Sequence, residues 1–228
     1  METSVGAVHL PRDPRARPDS KFAMANPLGD PGVPYVNRDS PATRIASVHQ
    51  LINYLNVTVS YRYQRTTANT FCNIYACDVC YFSHAYLPRV WWYSRSIRKL
   101  QSGQPVEVSY GETVHELNAN ALHDWLNEWG DDFRWSRITT HADDFQNLVN
   151  GNGSIGLICA RNRDRARSGH ITVVLPETDQ LKATRQAGRV IYPLQSQAGG
   201  ENIKYFSAQK GAWWTWERFD SFGMYLWG

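Results

Sequence analysis

A thiol and an imidazole stand out as the groups in this chain best placed to do covalent chemistry. Cys72 sits in the run NTFCNIYACD from Asn69 to Asp78, within the first turn of a predicted helix. Free backbone N–H groups and the helix dipole stabilise a thiolate at such a position. An ordinary thiol, with a pKa of roughly 8.5, is only slightly ionised at neutral pH. A nucleophilic cysteine therefore needs this location, a nearby base, or both. His170 follows Gly169 and opens HITVVL, the strongest β-run in the sequence. A strand's first residue can project over the sheet edge while the sheet behind holds it rigid, as a general base requires. Taken singly, each residue has a plainer reading: a small buried thiol and a hydrogen-bonded histidine at a strand end.

The elements that must position this pair can be read from hydrophobic spacing. Ser40-Pro41 reads as an N-cap followed by proline at the first helical position, and Ile45, Val48, Leu51, Ile52 and Leu55 continue with helical spacing. Residues 57–63 alternate and read as a short strand. Residues 70–84 read as a helix with Phe71, Ile74, Tyr75, Val79 and Phe82 on its apolar face and Thr70 or Asn69 as its cap. Thr113 and Glu116 have capping-box spacing and predict a helix over 114–129 ended by Gly130. Another helix is expected over 141–149, between Thr140 and Gly151. The character then changes to β-rich runs at 155–160, 170–175 and 189–194, with further strands at 202–206 and 222–227. Helices followed by an antiparallel sheet predict an α+β domain over 41–228. Residues 1–40 hold six of the eleven prolines and read as an extended tail.

A cysteine opening a helix, followed by a histidine opening a strand of a later sheet, matches the papain-like cysteine hydrolases. The sequence more specifically resembles the NlpC/P60 and CHAP-type peptidoglycan amidases. The resemblance lies in TFCNIYACDV (70–79), GLIC (156–159) leading to SGHITVV (168–174), and VIYPLQSQAG (190–199), and spans about 61–199. It implies a papain-like NlpC/P60-type fold with N-terminal helices packed on the sheet. It also implies a third polar residue on the strand after the histidine, to orient the imidazole. Gln197 is the first choice and Gln195 the second, because a Gln carbonyl accepts the imidazole N–H and fixes its tautomer without adding charge. The commonest family pattern has His, Asn or an acid there, and the insert from Glu177 to Gly188 is long. The oxyanion hole would use the Cys72 N–H and one further donor. By the same resemblance Tyr63 and Asn73 are candidates for contacting substrate.

Other patterns carry less. Cys77 and Cys80 have CxxC spacing and His84 follows, but a second ligand pair is missing; no metal or cofactor is expected. His115 begins a zincin-like run without the second histidine, and His115 and His123 share a helix side. Asn118 and Asn120 are candidates for a substrate groove. Arg161, Arg163, Arg165 and Arg167 alternate in a predicted hairpin loop, as a solvated loop or an anion contact. Trp91-Trp92 and Trp213-Trp214-Thr215-Trp216 suit a core or a sugar-stacking platform, and alternation in the second puts Trp214 and Trp216 on one strand face.

Composition bounds the function. A net charge of +3 on 228 residues argues against a dedicated nucleic-acid binder. No apolar run is long enough for a transmembrane helix, so membrane insertion is not expected, and residues 1–20 lack the apolar stretch of a Sec signal. Three of the four cysteines lie within nine residues, a poor disulfide framework, and they read as reduced thiols. The leading expectation is a cysteine amidase or endopeptidase that cuts peptidoglycan peptides through a thioester. It would be made in a bacterial cytoplasm and act in a target cell's periplasm. The resemblance further suggests an antibacterial effector, delivered by a type VI system and matched by an immunity protein and a secretion carrier. Two alternatives stand beside it: a protease, deamidase or transglutaminase-type toxin acting on proteins, and a non-enzymatic glycan-binding module.

Overall fold

A computed structural model describes residues 5–138 and 141–228, and folds them as α+β. The first helix, α1 (Pro41–Leu55), begins where local chemistry says it must. Ser40 accepts the Thr43 N–H, Thr43 answers the Ser40 N–H, and Pro41 sits at N1. Its buried stripe of Val48, Leu51, Ile52 and Leu55 faces the core. Asn56 then adopts a left-handed conformation (φ 42°) and turns the chain.

Residues 57–63 are not a strand. The chain turns after Asn56 and forms a 3-10 helix at Tyr61–Tyr63, and the Ser60 hydroxyl donates back to the Leu55 carbonyl. That local bond competes with extended pairing. α2 (Cys72–Phe82) follows, with Phe71 as N-cap rather than Thr70 or Asn69, and no side-chain cap. Val90–Trp92 (β1) then leads into α3 (Ser94–Gln101). The capping box expected at Thr113 does not form. Val114–Glu116 is a strand, β2, paired antiparallel with β1. The Thr113 hydroxyl instead serves the loop before it, accepting from Ser109 N–H and donating to Glu107 O. Helix α4 (Ala119–Glu128) starts later, with Asn118 capping the Ala121 N–H at 3.0 Å.

The main sheet contains β3 (Trp135–Ile138), β4 (Gly156–Asn162), β5 (His170–Val174), β8 (Gln195–Gln197), β9 (Ile203–Phe206) and β10 (Phe219–Trp227). Its antiparallel order is β3-β10-β4-β5-β8-β9. The run at 189–194 does not join this sheet: Arg189–Tyr192 (β7) pairs with Thr184–Gln186 (β6) in a separate hairpin. The strand beside β5 is the short polar β8. α5 (Ala142–Asn152) lies between β3 and β4 and ends at Gly153; the expected cap Thr140 lies outside the described residues.

Both sheet faces are buried, which accounts for the nearly continuous apolar runs of β4 and β5. Leu157, Cys159, Ile171 and Val173 join the core with α1, α2 and α4. Ile158, Ala160 and Val174 pack on the other face with Phe145, Val149, Trp213 and Trp214. The N-terminal segment is irregular but not free. Val5, Val8, Ala16, Leu28, Val33 and Val36 are buried, and the Val8 N–H donates to the Tyr86 hydroxyl at 2.8 Å. Residues 5–40 are therefore part of the body, not a separate tail.

Candidate active site

α2 crosses the sheet over β5 and β8, which brings its first residue to the N-terminal end of β5. Cys72 is the first residue of that helix. The backbone N–H groups of Ile171 and Asn73, and its own, lie on the sulfur's side and favour its charged form. Ile171 is the residue directly after His170 and packs with Cys72 in one core cluster. The thiol is 2% exposed, and its neighbours Phe71, Asn73 and Ile74 form the cleft wall. The helix-start location was expected to favour a thiolate. Burial outweighs that effect and pushes the Cys72 pKa up, while the nearby backbone N–H groups pull the other way.

His170 projects from β5 on the sheet face opposite Cys72. It lines the cleft and Cys72 does not, and among the described residues the structure does not bring the sulfur and the imidazole into contact. The imidazole Nε2–H donates to Gln197 Oε1 at 2.8 Å. The Gln197 amide is itself fixed, because its Nε2 donates to the Glu201 carbonyl at 3.0 Å. That assigns Oε1 to the imidazole, and leaves Nδ1 as the free lone pair. The Trp213 ring meets the imidazole edge-on, centroids 4.7 Å apart at 74°. Burial lowers the His170 pKa to about 4; the Gln197 bond opposes this and the nearby cations Arg218 and Lys210 add to it. The ring is therefore neutral at neutral pH.

Supporting contacts hold this arrangement. Gln195, the second choice for the orienting residue, is fully buried on the same sheet face but does not bond His170. Its Oε1 accepts from the Thr172 hydroxyl at 2.8 Å and from Trp213 Nε1–H at 2.9 Å, so it holds Trp213 rather than the imidazole. The Gly199 N–H donates to Asn202 Oδ1, and Asn202 Nδ2 donates to the Val57 and Tyr63 carbonyls. Gly169 has no room for a side chain: a Cβ would meet Ala160 O and Asn120 Oδ1. Asn120 is buried, not groove-facing; it accepts from Asn162 N–H and donates to Arg167 O, both at 2.8 Å.

The cleft holds about 1020 Å³ and is lined by Asn73, Asn118, His170, Gln197, Trp213 and Trp216 among others. Asn73 Nδ2 donates to the Leu117 carbonyl at 2.8 Å. Tyr63 is elsewhere. It is wholly buried, and its hydroxyl donates to Asp78 Oδ2 at 3.1 Å beside Arg62, so it braces α2 rather than meeting a ligand. Cys77 and Cys80 are buried in the core, and Asp78 between them pairs with Arg62. The tryptophan cluster also differs from a strand: Trp213–Thr215 is a 3-10 turn, Trp213 and Trp214 are buried, and only Trp216 is exposed. Arg161 pairs with Asp124 and Asp220, and Arg165 with Asp220. Sequence reasoning missed the packing of Trp213 on the imidazole, because no local pattern links residues 170 and 213.

No protein-family model, curated protein or solved structure matches this chain.

Proposed function

We propose that this chain is a papain-like cysteine amidase or endopeptidase, of the NlpC/P60 or CHAP kind, that cleaves peptide bonds of bacterial peptidoglycan. The observation that carries the reading is the 2.8 Å bond from His170 Nε2–H to Gln197 Oε1, which leaves Nδ1 as the base. Its counterpart is a helix-opening thiol packed beside Ile171, the next strand residue. Both groups are neutral at rest, so activation is general-base catalysis rather than a pre-formed ion pair. The reading requires the imidazole to come round the strand end to the thiol; as Cys72 Sγ then attacks the carbonyl carbon, its proton passes to His170 Nδ1. Gln197 holds the resulting imidazolium through the other ring nitrogen. The protonated ring then gives its proton to the leaving amine, and a thioester remains. Water attacks the thioester carbonyl, gives a proton to His170, and frees the carboxylic acid as the proton returns to sulfur.

The thiol's burial requires substrate to reach it past Phe71, Asn73 and Ile74. In this reading the protein is an antibacterial effector, acting in the target periplasm and restrained at home by an immunity protein. The exposed Trp216 on the cleft favours a second reading, a glycan-binding module, in which the thiol has no chemical role. Purified sacculi separate the two. Wild-type protein should release new muropeptides, read by liquid chromatography and mass spectrometry, and Cys72→Ala should release none. Intact sacculi after wild-type treatment overturn the substrate assignment.

A further inference from the structure

The cleft carries more positive charge than its own carboxylates offset. Arg89, Arg165, Arg167, Lys210 and Arg218 line it, against Glu116 and Glu201. Four of these cations have acid partners. Arg89 pairs with Glu116, Lys210 with Glu201 at 2.5 Å, Arg165 with Asp220 at 2.7 Å and Arg167 with Asp164 at 3.6 Å. Arg218 differs: among the described residues no carboxylate pairs with it. Its guanidinium instead lies over the Trp216 and Phe219 rings, 4.7 Å from each centroid.

That packing has two consequences. It takes a cation partly out of water without a counter-ion, which pushes the Arg218 pKa down, and the aromatic faces offset only part of that cost. It also fixes the plane of the guanidinium, so less side-chain freedom is lost when its N–H groups engage a planar acceptor. The position is close to the reacting groups. Trp213 touches both the His170 ring and the Phe219 ring on which Arg218 rests, and Arg218 is felt electrostatically at the imidazole. A carboxylate is the acceptor that matches a guanidinium fork bidentately.

We propose that Arg218, held flat on Trp216 and Phe219, anchors a carboxylate of the substrate, so that the cleft selects peptides with an acidic group near the scissile amide. This rests on the cysteine-amidase reading for the word substrate, but the anion site can be tested without catalysis. Wild-type protein is given muropeptides with free carboxylates and the same muropeptides with those groups amidated. The free form should have the higher kcat/KM, by about tenfold. Arg218→Met should bring the ratio close to one, and Arg218→Lys should give an intermediate ratio. Equal wild-type rates on the two forms overturn the proposal, and need no variant to fold. In parallel, calorimetry on the full-length Cys72→Ala protein measures binding of the same two peptides. A preference for the free form that Arg218→Met abolishes supports the anchor even if no cleavage is ever seen. Binding indifferent to amidation overturns it even if cleavage is robust.

Discussion

At the scale of single residues, the site is governed by burial. A thiol and an imidazole that both lose water shift in opposite directions, the first up and the second down to about 4, because each is held in its neutral form. The pH dependence follows from those directions. Protonating His170 removes the base, so kcat/KM should stay level through neutral pH and fall only as pH drops through about 4. A profile that already falls near pH 6.5 would mean an exposed, ordinary imidazole. Gln197→Ala should lower kcat, because both tautomers become available, and should move the acid limb lower still, since the lost bond favours the charged ring. Stability carries the same sign. The unfolded chain binds a proton on this histidine near pH 6.5 and the folded chain only near 4. The folded state's advantage is therefore complete above about 6.5 and lost as pH falls, by at most about 3 kcal/mol given the ring's partial exposure.

At the scale of elements, α2 is fixed by a buried ion pair. Asp78, on the helix that opens with Cys72, accepts from Arg62 Nε at 2.7 Å and from Tyr63, while Arg62 Nη2 donates to the Asn26 carbonyl at 2.8 Å. Removing one partner would strand a buried charge. Asp78→Ala should therefore cost about 3–5 kcal/mol, read from urea denaturation; a loss under about 1 kcal/mol would show that the pair is not tightly enclosed. Such contacts also explain which elements could be read in advance. α1 was legible because its cap is local, in Ser40, Pro41 and Thr43. β4 and β5 were legible because two-sided burial leaves long apolar runs. The helix at Thr113 was misread because a capping box has the same residues whether or not the hydroxyl turns to the loop behind it. β8 was hidden because its three residues, Gln195, Ser196 and Gln197, are polar yet all buried. Their burial depends on Thr172, Trp213 and Tyr75, far away in sequence. The meeting of His170 with Gln197 was implied by the family resemblance, which puts the orienting residue after the histidine strand, with Gln195 as the alternative. The support from Trp213, and the free cation at Arg218, required the fold.

At the scale of the whole molecule, the N-terminal segment belongs to the stability of the domain. Val5, Val8, Ala16, Leu28, Val33 and Val36 are all at most 5% exposed, and Met24 reaches the cleft wall. Fully burying a valine or leucine contributes about 1.5–3 kcal/mol, so together these residues rival a typical domain's net stability of about 5–15 kcal/mol. Deleting residues 1–40 should abolish the cooperative melting transition in scanning calorimetry. A truncated chain that melts within a few degrees of the full one would mean that the segment is a passive cover. The opposite end of the described chain has a different role. β10 lies between β3 and β4, bonded to both, so a strand made after every other strand of this sheet is an interior one. While residues 219–227 remain on the ribosome, β3 has no place in the sheet and β4 presents a bare edge. The nascent polypeptide therefore cannot assemble its sheet progressively from one side. It must wait for residues 219–227 to thread between two waiting strands, and the cell making this protein holds it without a finished cleft until translation has passed that point.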